Sequence, residues 1–141
     1  MITKHQQMPA DAATVDDVDA INEAVQRFID GTARGDAATL AAACHPDARM
    51  YGAIGGQRFD VPVTEFAKVV AESPADAAGT YRARITSIVH EGDAASATVV
   101  EDGFWGTMSF VDFLGLCHTE GGWRIVSKTF AHTGGEPPSH A

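Results

Sequence analysis

The stretch Phe110-Val111-Asp112-Phe113-Leu114-Gly115-Leu116-Cys117-His118-Thr119-Glu120-Gly121-Gly122-Trp123-Arg124-Ile125-Val126-Ser127-Lys128 decides the fold. Two apolar, β-prone runs flank a Glu-Gly-Gly turn, the pattern of an antiparallel hairpin. Strands are expected over 107–119 and 123–133. Immediately upstream, Glu91-Gly92-Asp93 separates two further β-prone runs, 81–90 and 95–102. Four consecutive hairpin-linked strands make an antiparallel meander.

Further upstream the period changes. Val18, Ile21, Val25, Phe28 and Ile29 recur at three- and four-residue spacing and predict a helix from about Val15 to Gly31. Thr14 is its expected cap, with Asp16 and Asp17 in the first turn, where negative charge meets the positive helix end. Asp36 caps a short second helix, 37–44, which Pro46 ends. Met50, Tyr51 and Ile54 suggest a short strand, Gly55-Gly56 a turn, and 57–61 its return. A third helix, 63–72, follows Pro62, with Phe66, Val69 and Val70 as its inner face. Helices followed by hairpins indicate an α+β domain with its helices gathered on one face of the sheet. One domain is expected over 15–133, with flexible tails at 1–14 and 134–141.

The last two strands carry apolar residues on both parities. Val111, Phe113 and Cys117 alternate with Phe110, Leu114 and Leu116, and Trp123 and Ile125 with Val126 and Phe130. A solvated outer face would be polar. A second copy of the chain is the simplest cover, so a homodimer through the outer sheet face is expected.

With 10 basic against 19 acidic residues, the 141-residue chain has a formal net charge of −9. That argues against nucleic acid, whose phosphates need clustered bases, and against an anionic membrane surface. No apolar run is long enough to span a bilayer or to serve as a signal peptide. Cys44 and Cys117 lie in apolar settings without CxxC spacing, which suggests free thiols and a cytoplasmic location. The six histidines lack HxH, HExxH or His/Cys ligand spacing, so no metal site is expected. Neither a P-loop, a GxSxG elbow nor a GxGxxG run is present, and no cofactor is expected.

Three stretches carry a family resemblance. They are Gly35-Asp36 with His45-Pro46-Asp47-Ala48, the turn Glu91-Gly92-Asp93-Ala94-Ala95, and the hairpin quoted above with its Gly-Gly-Trp turn. In their order and spacing the chain resembles the nuclear transport factor 2-like superfamily. Within it, the chain resembles the bacterial branch of putative lumazine-binding, polyketide-cyclase-like proteins. The resemblance implies a cone-shaped fold, three N-terminal helices packed in a curved, mostly antiparallel sheet, a pocket between them, and usually a dimer. Members of the superfamily include isomerases, dehydratases and cyclases alongside proteins with no catalytic role, so fold alone does not select a reaction.

Asp112 is the most informative single residue, a charged group in mid-strand that needs a partner there. A hairpin register set by Glu120-Gly121-Gly122 places Asp112 diagonal to Lys128, with His132 on the same face. Two readings stand: an ion pair tethering the hairpin or the dimer interface, or a pocket carboxylate acting as general acid or base. Tyr51 is either a hydrogen-bond donor at the cavity mouth or an ordinary half-buried tyrosine. Trp123 either closes one end of the cone or stacks on a ligand. Phe59, Phe66, Tyr81, Phe104 and Trp105 offer aromatic surface to a flat apolar ligand or simply to the core. The candidate set is therefore Asp112 for catalysis and Tyr51, Phe59, Trp105, Trp123, Lys128 and His132 for ligand binding. The expected function is binding of a small planar or apolar molecule, with or without cofactor-independent isomerase, dehydratase or cyclase chemistry. A dimeric, non-catalytic interaction module with a vestigial pocket is the competing class.

Overall fold

A computed structural model describes residues 10–139. Helix α1 (Ala10–Arg34) and the short α2 (Ala37–Ala43) lead into β1 (Cys44–Ile54) and β2 (Gln57–Pro62). Helix α3 (Val63–Glu72) precedes the four-strand meander β3 (Arg82–Glu91), β4 (Ala94–Phe104), β5 (Met108–Thr119) and β6 (Gly122–Gly134). The strands form a six-stranded sheet in the order β2-β1-β6-β5-β4-β3. All neighbours are antiparallel except β1 and β6.

Helix α1 is longer than its apolar stripe predicts at both ends. Ala10-Asp11-Ala12-Ala13-Thr14 favours helix, so the chain is helical through Thr14. At the other end Gly31 lies inside the helix. A Cβ there would come within 2.8 Å of the Leu40 side chain, so the missing side chain lets α2 pack closely. The turn falls at Gly35, whose φ of 67° is left-handed, and Asp36 then accepts the Thr39 N–H at 3.1 Å. The expected flexible tails fall partly on residues 1–9 and 140–141, which lie outside the described residues.

Strand β1 starts at Cys44, six residues before Met50, the first residue named for the expected short strand. Cys44 pairs with Ile125 and Arg49 with Ser127, so His45-Pro46-Asp47-Ala48 is an irregularity within the strand, with Pro46 and Asp47 exposed and Ala48 buried. Proline is tolerated at such a break because no ladder bond is required of it.

All three helices cover one sheet face. Ile21, Val25, Phe28 and Ile29 of α1 and Val63, Phe66 and Val70 of α3 are buried against it. They meet Ala97 and Val99 of β4, Phe110, Leu114 and Leu116 of β5, and Ile125 and Phe130 of β6. Val69, expected on the inner face of α3, is half exposed. The opposite sheet face has no helix on it among the described residues and exposes Tyr51, Val89, Val100 and Phe113. Cys44 and Cys117 are free, and burial pushes the Cys44 thiol up to about 11. No described helix is long and apolar enough to cross a membrane.

Candidate functional site

Between α3 and the inner sheet face lies a cavity of ≈ 470 Å³. Its walls are apolar: Met50 and Ile54 of β1, Phe59 and Val61 of β2, Phe66 of α3, Phe110 of β5 and Phe130 of β6 all contribute. Phe130 can lie flat against β1 because Gly52 has no side chain; a Cβ there would come within 2.6 Å of the ring. Trp105 forms part of the wall from the β4–β5 turn. It sits at a left-handed φ of 53°, a conformation costly for a bulky residue. Its backbone N–H donates to Ala75 O at 3.0 Å and its indole N–H to Ser73 O at 2.7 Å, which hold it there.

The polar groups of the cavity follow from register. Ala83 pairs with Glu101, Val99 with Asp112, and Leu114 with Lys128. Hence Tyr81, just before β3, Glu101 on β4, Asp112 on β5 and Lys128 on β6 step diagonally across four adjacent strands, two residues per strand. All have inward parity. Glu101, Asp112 and Lys128 are only 2%, 1% and 3% exposed, yet all three line the cavity.

Lys128 Nζ stands 3.8 Å from Asp112 Oδ2, an ion pair longer than a hydrogen bond. The ammonium lies 3.9 Å from the Phe66 ring centroid, with Phe28 at 5.2 Å and Phe130 at 5.6 Å, so aromatic faces also share its charge. Among the described residues, no N–H or hydroxyl donor reaches either oxygen of Asp112. Its carboxyl lies close enough to that of Glu101, on the neighbouring strand, for its charge to act on it. Burial and then the Asp112 charge push Glu101 well above the usual carboxylate range, so Glu101 holds its proton. On its far side Glu101 accepts from the Tyr81 hydroxyl at 2.5 Å. Burial, and next the adjacent Glu101, raise the Tyr81 phenol, which therefore stays a donor. The result is a hydroxyl, a protonated carboxyl, a carboxylate and an ammonium in line, beside a mostly apolar cavity that Gln57 and Glu65 also line.

The sequence matches the family model described as "Putative lumazine-binding" over residues 16–131. The chain belongs to this family. Among solved structures, this member of the putative lumazine-binding family is similar to a nuclear transport factor 2-like protein of unknown function from Shewanella baltica. The two are 26% identical, with 89% of this chain and 97% of that one covered at a TM-score of 0.74. A second such protein, from Methylobacillus flagellatus, is 29% identical over 84% of this chain and 94% of that one, with a TM-score of 0.76. A ketosteroid isomerase-like protein from Erwinia carotovora atroseptica shares the fold at 18% identity and a TM-score of 0.61, covering 80% and 93% of the two chains. No curated protein sequence matches the chain significantly. Sequence, architecture and neighbours agree on a nuclear transport factor 2-like α+β fold.

In this lumazine-binding-family chain the structure brings together Asp112, Lys128, Phe59 and Trp105 of the sequence-derived set. The other three lie elsewhere. Tyr51 has the parity opposite to Met50, so its side chain is on the outer sheet face, 37% exposed. Trp123 is buried away from the cavity, against His90 and His118, with its indole N–H donating to Asp17 at 3.3 Å. His132 shares the inner parity but stacks on Phe110 and accepts from the Gly55 N–H at 3.3 Å, binding the β1–β2 turn to β6. Glu101 and the role of Tyr81 beside it escaped the sequence reading. Glu101 has the parity of Ala97 and Val99, and that alternation is the signal that marks it as inward.

Proposed function

We propose that the protein binds a small apolar molecule in this cavity and moves a proton on it through the Asp112–Glu101 pair, without a cofactor. The observation that carries the reading is a buried carboxyl, Asp112, facing a ligand-sized cavity with no fixed donor on either oxygen. Buried polar atoms of proteins are nearly always hydrogen-bonded to protein, water or ligand, so Asp112 is a group for which a ligand can supply the donor. Phe59 and Trp105 serve as ligand-contacting walls.

In this reading Asp112 is the base. The protonated Glu101 and the Lys128 ammonium stabilise its charge in the resting site. When a C–H bond of the ligand breaks, its proton forms an O–H bond on Asp112 and the electron pair moves into the ligand. Return of the proton at a different atom completes an isomerisation. Delivery of a proton from the pair to a leaving hydroxyl completes a dehydration. Cyclisation requires the same two events on one folded substrate.

Carbon-13 NMR titration of the labelled side-chain carboxyls tests the pair. One of the two is expected to stay protonated at neutral pH, and Asp112→Asn to return Glu101 towards ordinary behaviour. If Glu101 titrates as an ordinary carboxyl, complete by about pH 5, the proton-holding partner of the base is wrong.

The outer sheet face supports a homodimer as the working assembly. The competing interaction-module class has that same face in its favour, but it gives no reason for an open cavity with ionisable groups lining it.

A further inference from the structure

The cavity contains more acid than base. Glu65, Glu101 and Asp112 line it, and Lys128 is its single basic residue among the described residues. One ammonium cannot neutralise two adjacent buried carboxylates, and leaving a carboxylate unpaired in an apolar site is costly. In the empty site a proton on the pair meets that need. A ligand can meet it instead.

We propose that the ligand is a protonated amine on an apolar body, whose ammonium group becomes the second counter-ion of the Asp112–Glu101 pair. This rests on the reading of the cavity as a ligand site and specifies what enters it. Three features favour a cation. Both oxygens of Asp112 are buried without donors and accept N–H bonds. Lys128, held over Phe66 at 3.9 Å, shows that these aromatic walls accommodate an ammonium, and Phe104, Trp105 and Phe110 offer further faces. Glu65 of α3 and the formal net charge of −9 favour the approach of cations over anions.

Binding exchanges one positive charge for another. The ammonium enters, the proton held by Glu101 leaves to solvent, and both carboxyls are then ionised against two ammonium groups. No covalent bond of the ligand changes. The groups facing Glu101 are Tyr81 before β3, Asp112 on β5 and Lys128 on β6, with Glu65 of α3 lining the same cavity and Asp30 of α1 close enough for its charge to act on Tyr81. Raised by burial and by Asp112, Glu101 keeps its proton in the empty site at neutral pH. Amine affinity therefore rises with pH until Glu101 is ionised in the free protein.

Calorimetric titration of the full chain with 4-phenylbutylamine, 4-phenylbutanol and 4-phenylbutanoate compares cationic, neutral and anionic heads on one apolar body. The amine is expected to bind about tenfold tighter than the alcohol near neutral pH, with the carboxylate weakest. Repeating the amine titration in buffers of different ionisation enthalpy should show release of about one proton per amine. Glu101→Gln should abolish that release and weaken amine binding without eliminating it, and Asp112→Asn should abolish the amine preference. Equal or tighter binding of the alcohol overturns the amine class and leaves the ligand-site reading standing. Proton release that persists in Glu101→Gln overturns the exchange. Failure of all three probes to bind a chain with a native circular dichroism spectrum sinks both readings.

Discussion

Replacing Lys128 with methionine removes the single cation beside two buried carboxyls while keeping a flexible apolar stem among Phe28, Phe66 and Phe130. Breaking a buried pair from one side strands the other charge, so Lys128→Met is expected to lose about 3–5 kcal/mol of stability at neutral pH. Urea denaturation measures it, and the deficit should narrow on acidification as the stranded carboxyl protonates. Glu101 contributes a pH dependence of opposite origin. Its folded value lies above its ordinary 4.5, so the folded chain holds a proton that the unfolded chain releases. That stabilisation is complete below about 4.5 and is lost as pH rises through the raised folded value. Glu101→Gln should therefore flatten the decline in melting temperature on the alkaline side, and an unchanged decline would refute the protonated carboxyl. The Asp112–Lys128 diagonal was legible in the sequence because a short Gly-Gly turn sets the register of one local hairpin. Glu101 was not, because Glu101-Asp102-Gly103 reads as a strand running out into a polar turn. Its alternation with Ala97 and Val99 hints at an inward side chain, and its pairing with both β3 and β5 fixes Glu101 as inward and Asp102 as outward.

Gly35 and Gly55 test how tightly the elements around the cavity are joined. Both have left-handed φ, +67° and +56°. A Cβ at Gly35 would fall 2.3 Å from Val70 O on α3, whereas at Gly55, in the β1–β2 turn, nothing lies within 4 Å. Gly55→Ala should cost only the conformational penalty, about 1 kcal/mol, and Gly35→Ala clearly more, because α3 must shift away from the α1–α2 turn. Thermal unfolding of the two variants makes the comparison, and equal losses would mean that α3 moves freely. Most elements were readable from periodicity, and α3 and the four meander strands fall within two residues of their expected bounds. What local pattern could not supply is the parallel docking of β1 beside β6, a contact between segments some eighty positions apart. That docking and the β1–β2 pairing put Met50, Ile54 and Phe59 at the cavity and turn Tyr51 outward, since adjacent residues on a strand face opposite ways.

At the scale of the molecule the uncovered sheet face demands an account. Register aligns Tyr51, Thr129, Phe113 and Thr98 in one row and Ala53, Ala131, Val111 and Val100 in the next, all on the face away from the helices. These rows hold no charged residue; Asp60 and Arg58 on β2 and Arg84 on β3 lie beyond their ends. Phe113, near the centre, is 51% exposed. A face of this kind, apolar within and charged at its rim, is how a specific interface is built. In a twofold dimer the same patch serves both copies, so one substitution acts twice. Phe113→Glu would bring two carboxylates into the centre of that interface and is expected to weaken association by about 100-fold or more. Sedimentation equilibrium should show a dimer for the parent chain and a monomer for the variant. Because Phe113 points away from the cavity, the monomer should retain the carboxyl titration of the parent. A parent chain that remains monomeric at about 100 μM would leave the apolar rows without a self-partner and remove the homodimer from the assignment.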